Sequence, residues 1–265
     1  MTLSEQIEKD LDNRFRKAIW RPMMAAIKQH KLVEEGDKIA VCMSGGKDSL
    51  LLAKCMQNLQ RHFHLSFELR FICMDPGFAP DTRAHIMRLA EEVGIPLQFF
   101  DTDVFAALDA TNCNPCQLCA KMRRGYLYRH AASIGCNKIA LGHHYDDVIE
   151  TLLMSILCSG QIRGMRPILD SDNVEGLQLI RPLYNVHEQE IVDWVQAYRL
   201  EMPACTCKKS RSTDQVGGRN AIRDAIIELE KRIPGAEKNL FRSAYNVQLD
   251  SLNGWKLGDK RIYPC

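Results

Sequence analysis

The chain has 265 residues, long for one domain and short for two, so an α/β domain with added elements is the natural expectation. Its composition, 46% apolar and 26% charged, is that of an ordinary folded soluble protein, and a net charge of +2 excludes a strongly basic nucleic-acid coat while leaving room for a local basic patch. Eleven cysteines and an N-terminal segment with charges throughout exclude a secretory leader or membrane anchor there and predict a cytoplasmic, reducing setting without a disulfide framework.

In chain order, Ile7, Leu11, Phe15 and Ile19 recur at helical spacing and predict one amphipathic helix over 4–31. The apolar run 38–43 reads as a buried strand, and 47–60 as a helix with Leu50, Leu51, Cys55 and Leu59 along one side. A second strand is expected over 68–74, and a helix over 81–93 with Asp81 as its N-cap. A third strand covers 96–100, a loop 101–117, a helix 118–134, a fourth strand 138–142 and a helix 145–157. Segments 166–169 and 177–183 suggest a hairpin or strand pair, followed by helices over 188–198 and 219–231. Strands alternating with helices predict an open, parallel, twisted sheet covered on both faces. We expect a single domain over 1–265: an N-terminal helical extension (1–35), a nucleotide-binding core (36–200) and a C-terminal cysteine-containing helical segment (201–265).

Between the first strand and its helix stands Ser44-Gly45-Gly46-Lys47-Asp48-Ser49. The glycines allow positive φ and close backbone approach, the helix N-terminus offers unpaired N–H groups, the serines add hydroxyls and Lys47 adds a positive charge. This is a phosphate-binding layout. It is not a Walker A loop, which needs glycine where Val41 stands and Ser or Thr where Asp48 stands. Asp48 suggests a magnesium ion bridging to the phosphates.

Cys113, Cys116 and Cys119 are spaced C-x2-C-x2-C, and Cys205 and Cys207 lie further on as C-x-C. Such thiolates can close on zinc, on an iron–sulfur cluster or, using Cys116 and Cys119 alone, form a redox dithiol; spacing leaves all three open. Cys42, Cys55, Cys73 and Cys158 fall on apolar faces and read as core. The stretch Leu141-Gly142-His143-His144-Tyr145-Asp146-Asp147 follows the fourth strand, where a parallel sheet carries its ligands. Its two aspartates can cap the next helix or hold magnesium, and its histidines can neutralise phosphate or donate hydrogen bonds. Met74 and Asp75, ending the second strand, are expected beside adenine and ribose. Lys121, Arg123, Arg124 and Arg129 with Tyr126 and Tyr128, and Lys208, Lys209, Arg211 and Arg219, form basic segments suited to RNA or to a solvated face.

The glycine string resembles the PP-loop of ATP pyrophosphatases, enzymes that split ATP between the α and β phosphates and transfer AMP to an oxygen. Four ordered blocks, "EEGDKIAVCMSGGKDS", "CQLCAKMRRGYLYRHA", "KIALGHHYDDVIETLLM" and "IRPL", are similar to the tRNA 2-thiocytidine synthetase family. The resemblance implies an ATP-dependent, iron–sulfur-dependent tRNA sulfurtransferase that adenylates a cytidine carbonyl, at tRNA position 32, and replaces its oxygen with sulfur. It implies ATP, Mg2+ and a [4Fe-4S] cluster, with Cys116, Cys119 and one distant cysteine as ligands and one iron left open for sulfide. Cys207 is the expected distant ligand, with Cys205 and Cys113 as alternatives; a fourth ligand at Cys113 would close the open iron. Ser44, Gly45, Gly46, Lys47, Asp48, Ser49, Met74, Gly142 and His143 are expected around the nucleotide, with Lys47, Asp48 and Asp147 catalytic and Asp48 and Asp147 on magnesium. Tyr145 departs from the arginine common in the family. Implied partners are tRNA, a sulfur donor such as a cysteine desulfurase and a second copy of the chain, with no membrane. Two other readings remain open: a PP-loop cluster enzyme acting on another base or small molecule, and a zinc-stabilised nucleotide-binding module without turnover.

Overall fold

A computed structural model describes residues 1–109, 115–203 and 218–263; for 106, 108–109, 115–117 and 119–120 it describes the backbone alone. Two compact units divide the chain, 1–146 with 166–213, and 147–165 with 214–265.

The first unit opens with α1 (Leu3–Asp12), started by a capping box in which Thr2 and Glu5 satisfy each other's backbone N–H. A π-helical turn, Arg16–Trp20, and α2 (Arg21–His30) follow, so the single helix expected over 4–31 is three pieces. The cause is legible in the core residues Ile7, Leu11, Phe15, Ile19, Met23 and Ile27, all buried at four-residue intervals. On a 3.6-residue helix each such step drifts by about 40°. A wider turn in mid-segment absorbs part of that drift and keeps the stripe facing inward.

Six strands form one sheet in the order β3-β2-β1-β4-β6-β5. They are β1 (Lys38–Met43), β2 (Glu68–Asp75), β3 (Leu97–Asp101), β4 (Lys138–Ala140), β5 (Ile168–Asp170) and β6 (Gln178–Ile180). All pairs are parallel except β5 with β6, the predicted hairpin, which gives the sheet an antiparallel edge. From Ile39 to Met43 every residue of β1 is buried, as a strand covered on both faces requires.

Helix α3 (Lys47–His62) links β1 to β2 and packs on both. Helix α4 (Pro80–Glu92) links β2 to β3. Its N-cap is Ala79, not Asp81: Pro80 takes the first helical position, where its missing N–H costs nothing, and leaves Asp81 inside the first turn. The expected loop 101–117 holds α5 (Val104–Asp109) and the start of α6 (Pro115–Ser133). Helix α6 covers the sheet through Tyr128 and Ala131, packed with Ala40, Cys42, Ile72, Cys136, Ile139, Leu177 and Leu179. Tyr126 Oη donates to Asp103, just past β3, at 2.7 Å, and Cys136 lies just before β4. Helix α6 therefore runs from beyond the C-terminal end of β3 back along the sheet. Helix α8 (Glu188–Ala197) completes this unit.

The second unit contains α7 (Tyr145–Ser159) from Asp147 onward, α9 (Arg219–Arg232), α10 (Ala236–Ser243) and the hairpin β7 (Trp255–Leu257) with β8 (Lys260–Ile262), the last an addition to the expected C-terminal helices. Cys42, Cys55 and Cys73 are buried as expected, but Cys158 is exposed, because it lies in the last turn of α7, past the buried stretch that ends at Leu153. No helix among the described residues is long and apolar enough to cross a membrane.

A buried ion pair locks α1 to α3. Lys54, with 0% of its surface exposed, donates to Glu8 and Ser4 at 2.9 Å each and to Gln57 at 2.7 Å, and Arg61 also pairs with Glu8. Burial alone would raise the Glu8 pKa, but Lys54 and Arg61 hold it below the ordinary glutamate value. Stability from Glu8 is thus fully present above the ordinary value and lost as pH falls through the depressed one. We expect Glu8→Ala to cost about 3 kcal/mol by stranding the buried ammonium, and the double change Glu8→Leu with Lys54→Met to cost much less. Urea denaturation at neutral and acidic pH checks both, and Glu8→Gln should flatten the acid limb.

Candidate active site

The chain leaves β1 toward β2 on one side and returns from β3 to β4 on the other, so strand order switches between β1 and β4. Ligands of open α/β sheets bind at the C-terminal strand ends beside such a switch. Both motifs expected to bind nucleotide lie there, one after β1 and the other after β4.

Gly45 has φ +82°, a left-handed conformation in which its backbone turns sharply from strand to helix. A Cβ there would also meet Ile86 Cδ1 at 2.8 Å. Gly46 is the N-cap of α3 and offers no side chain to cap it. The loop is braced by Ser49, whose hydroxyl accepts from Ser44 N at 3.1 Å and donates to Gly46 O at 2.8 Å. Ser44 Oγ lies 3.3 Å from Ser49 Oγ. The result is a preformed concave backbone with the N-terminus of α3 behind it, suited to polyphosphate.

Gly142 brings the second motif against the first. A Cβ at this position would lie 3.0 Å from Asp48 C and 3.1 Å from Ser49 N, so any larger residue would push the β4 turn and the first turn of α3 apart by a few tenths of an ångström. Beyond it, buried His144 has Nε2 3.9 Å from Asp48 Oδ1 and Nδ1 3.6 Å from Asp146 Oδ2. Asp146 caps α8, not its own helix, by accepting from Glu188 N at 2.7 Å. Burial works to raise its pKa, but His144 and the Glu188 N–H hold it below the ordinary aspartate value. Tyr145 is buried with its ring centroid 4.1 Å from that of His187, which gives the family-atypical residue a packing role.

Lys47 Nζ lies 2.8 Å from Glu188 Oε1 and 3.0 Å from Asp48 Oδ1. Burial would lower its pKa, but these two carboxylates raise it above the ordinary lysine value, so it is charged at neutral pH. Glu188 escaped the sequence reading: a glutamate opening a helix looks like a dipole partner until tertiary structure places it on Lys47. Arg181, in the "IRPL" block, was likewise given no role. It is 9% exposed, donates from Nε to His143 Nδ1 at 3.3 Å and also reaches the carbonyl of Arg166. An arginine in a mostly apolar run, immediately after β6, was the available signal.

Other expected residues are distributed differently. Met74 is buried at the end of β2. Asp75 is engaged by its own turn, accepting from Gly77 N at 2.9 Å and Phe78 N at 2.6 Å and pairing with Arg83 at 3.0 Å. Asp147 belongs to the second unit, where Arg219 Nη1 donates to its Oδ1 at 2.6 Å. There Arg219 and Arg223 also pair with Glu150, at 3.5 and 2.8 Å. Arg219, read from sequence as part of an RNA-facing segment, is thus tied to two carboxylates. Tyr128 is in the core and Tyr126 is bonded to Asp103, while Lys121, Arg124 and Arg129 are exposed on α6. Cys116 and Cys119 occupy the beginning of α6; Cys113, Cys205 and Cys207 lie outside the described residues, as do Lys208, Lys209 and Arg211. Among the described residues no three His, Cys, Asp or Glu side chains converge to hold a metal ion. Magnesium commonly uses one or two carboxylates plus phosphate oxygens and water, and Asp48 beside the loop fits that donor set.

A strand, a braced glycine turn and an uncapped helix N-terminus at a switch in strand order define a nucleotide-binding α/β protein of the PP-loop type. The PP-loop domain family matches residues 14–230. A Neisseria meningitidis protein named tRNA-cytidine(32) 2-sulfurtransferase is 33% identical over 97% of this chain and 81% of its own length. One of the same name from Vibrio cholerae is 35% identical over 93% and 79%. The chain belongs to the tRNA-cytidine(32) 2-sulfurtransferase family of ATP-binding PP-loop enzymes. Among solved structures, the U34-tRNA thiolase NcsA of Methanococcus maripaludis with its [4Fe-4S] cluster has a TM-score of 0.66 at 20% identity, over 86% of this chain and 79% of that one, a likeness of fold.

Gly142→Ala should push the β4 turn off the first turn of α3. We expect ATP to bind about tenfold more weakly, a change of about 1.4 kcal/mol, with the far-ultraviolet circular dichroism of the parent. Isothermal titration of ATP measures it.

Proposed function

We propose that this chain is an ATP-dependent tRNA sulfurtransferase that replaces the C2 oxygen of cytidine 32 with sulfur. The observation that carries the reading is the 33% identity to a named tRNA-cytidine(32) 2-sulfurtransferase over nearly the whole chain, joined to the built phosphate loop where Gly142 meets Asp48.

The chemistry follows from the residues. A carbonyl oxygen is a poor leaving group. The cytosine oxygen attacks the α-phosphorus of ATP, pyrophosphate departs, and the oxygen becomes part of AMP, a good leaving group. The N–H groups from Gly45 to Ser49 hold the phosphates, and Lys47 offsets charge that develops on them. Asp48, with Asp147, would hold magnesium on the same phosphates. His143, steadied by Arg181, stands beside Gly142 to contact the nucleotide, and Met74 lines the end of β2.

Cys116, Cys119 and Cys207 would hold a [4Fe-4S] cluster, with Cys205 or Cys113 as alternative ligands. Thiolates are the donors such clusters take, and two of these residues lie at the start of α6. When bound, the cluster supplies the site that carries sulfur to C2. The exposed Lys121, Arg124 and Arg129 on α6 suit the tRNA backbone. Beyond tRNA, we propose a sulfur donor such as a cysteine desulfurase and a second copy of the chain as partners. Among the described residues, ten of the eleven exposed large apolar side chains lie in the second unit, which suits a covering protein surface.

Mass spectrometry of tRNA nucleosides tests the reading. A strain lacking this chain should lose 2-thiocytidine and regain it with the parent gene, but not with Cys116→Ser or Cys119→Ser. Unchanged 2-thiocytidine in the deletion strain would overturn the assignment. Anaerobic purification should give a brown protein containing iron; a colourless protein holding zinc would favour a metal-stabilised binding module.

A further inference from the structure

The reading of the glycine turn as a nucleotide site leaves Glu188 unexplained, although its carboxylate lies closer to Lys47 than that of Asp48 does. We propose that Glu188 is a specificity residue that competes with nucleotide phosphate for Lys47, so that the loop accepts the metal-bound nucleotide and rejects the bare one. The proposal rests on that reading of the turn.

The geometry points to it in three ways. First, Glu188 is held in place. It is the first residue of α8, its backbone N–H is fixed on Asp146 at 2.7 Å, and its carboxylate lies 2.8 Å from Lys47 Nζ. Second, among the described residues Asp48, Asp146 and Glu188 place three carboxylates around the loop, whose own cation is Lys47. His144 lies between Asp48 and Asp146 and offsets part of this only when protonated. A bare polyphosphate therefore meets an ammonium already shared by two carboxylates, and a wall of like charge behind it. A divalent cation bound to the phosphates removes much of that repulsion and turns the carboxylates from a penalty into an attraction. Third, the pair is displaceable. Lys47 and Glu188 side chains are 26% and 22% exposed, so solvent can receive the carboxylate when phosphate takes the lysine.

A phosphate loop normally gains from every cation and loses from every carboxylate near it. A glutamate aimed at the loop lysine therefore makes sense where the unwanted ligand is a more highly charged form of the wanted one. Bare and magnesium-bound ATP differ in this way, and a pyrophosphatase that engages the bare form would occupy its site without the ion that assists departure of pyrophosphate.

The test is ATP affinity, by isothermal titration, of the parent chain, Glu188→Gln and Glu188→Ala in excess EDTA and in excess Mg2+. The parent should bind far more weakly in EDTA. Both variants should bind bare ATP about tenfold more tightly than the parent, with less than threefold change in Mg2+, and added salt should shrink the gain. Variants that bind bare ATP no more tightly than the parent would overturn the proposal, as would an equal gain with and without metal. Glutamine keeps a hydrogen-bonding partner for Lys47 and alanine does not, so agreement between them assigns the effect to charge. If the parent binds ATP under neither condition, the nucleotide reading of the loop itself falls.

Discussion

The site depends on one close approach: the backbone of Gly142 against the backbone of Asp48 and Ser49, where a β-carbon would lie only 3.0 to 3.1 Å away. It joins two loops far apart in the chain, beside the switch in strand order between β1 and β4. On one side of the contact is the N-terminus of α3 with its unpaired N–H groups; on the other is the turn that carries two histidines and two aspartates. Parallel strands make this possible because their C-terminal ends share an edge.

The electrostatics of the loop are less simple than its motif suggests. A glycine turn with a lysine reads as a positive cradle. In three dimensions the lysine is already engaged by Asp48 and Glu188, and Asp146 is held in its charged form behind them. The backbone N–H groups, which carry no formal charge for a carboxylate to offset, therefore carry more of the recognition than composition implies.

Much of the sheet was legible from sequence because fully buried strands and amphipathic helices write different periods. The apolar run 38–43 and the glycine string after it could hardly be placed otherwise, and the hairpin over 166–183 was visible in its turn residues. What escaped depended on longer-range geometry. Ile7, Leu11, Phe15 and Ile19 specify a helix, but not the π turn that a strict four-residue repeat demands. Asp81 is a good cap by type, yet Pro80 beside it owns the first helical position. Cys158 shares its neighbours' apolar company but lies in the last turn of α7, where the side chains are exposed. Glu188 and Arg181 were invisible as site residues because their partners, Lys47 and His143, are far away in the chain. The two aspartates after β4 were read as equivalent, whereas Asp146 caps a different helix and Asp147 answers to Arg219.

The account stands or falls on where the triphosphate and the cysteine-held centre meet. An anaerobic crystal structure of the holoprotein with a non-hydrolysable ATP analogue and magnesium measures this directly. The account predicts phosphate oxygens on the N–H groups between Gly45 and Ser49, with the cluster ligated by Cys116 and Cys119 at the same edge of the sheet. Phosphates bound elsewhere, or a metal centre on the opposite edge, would contradict it.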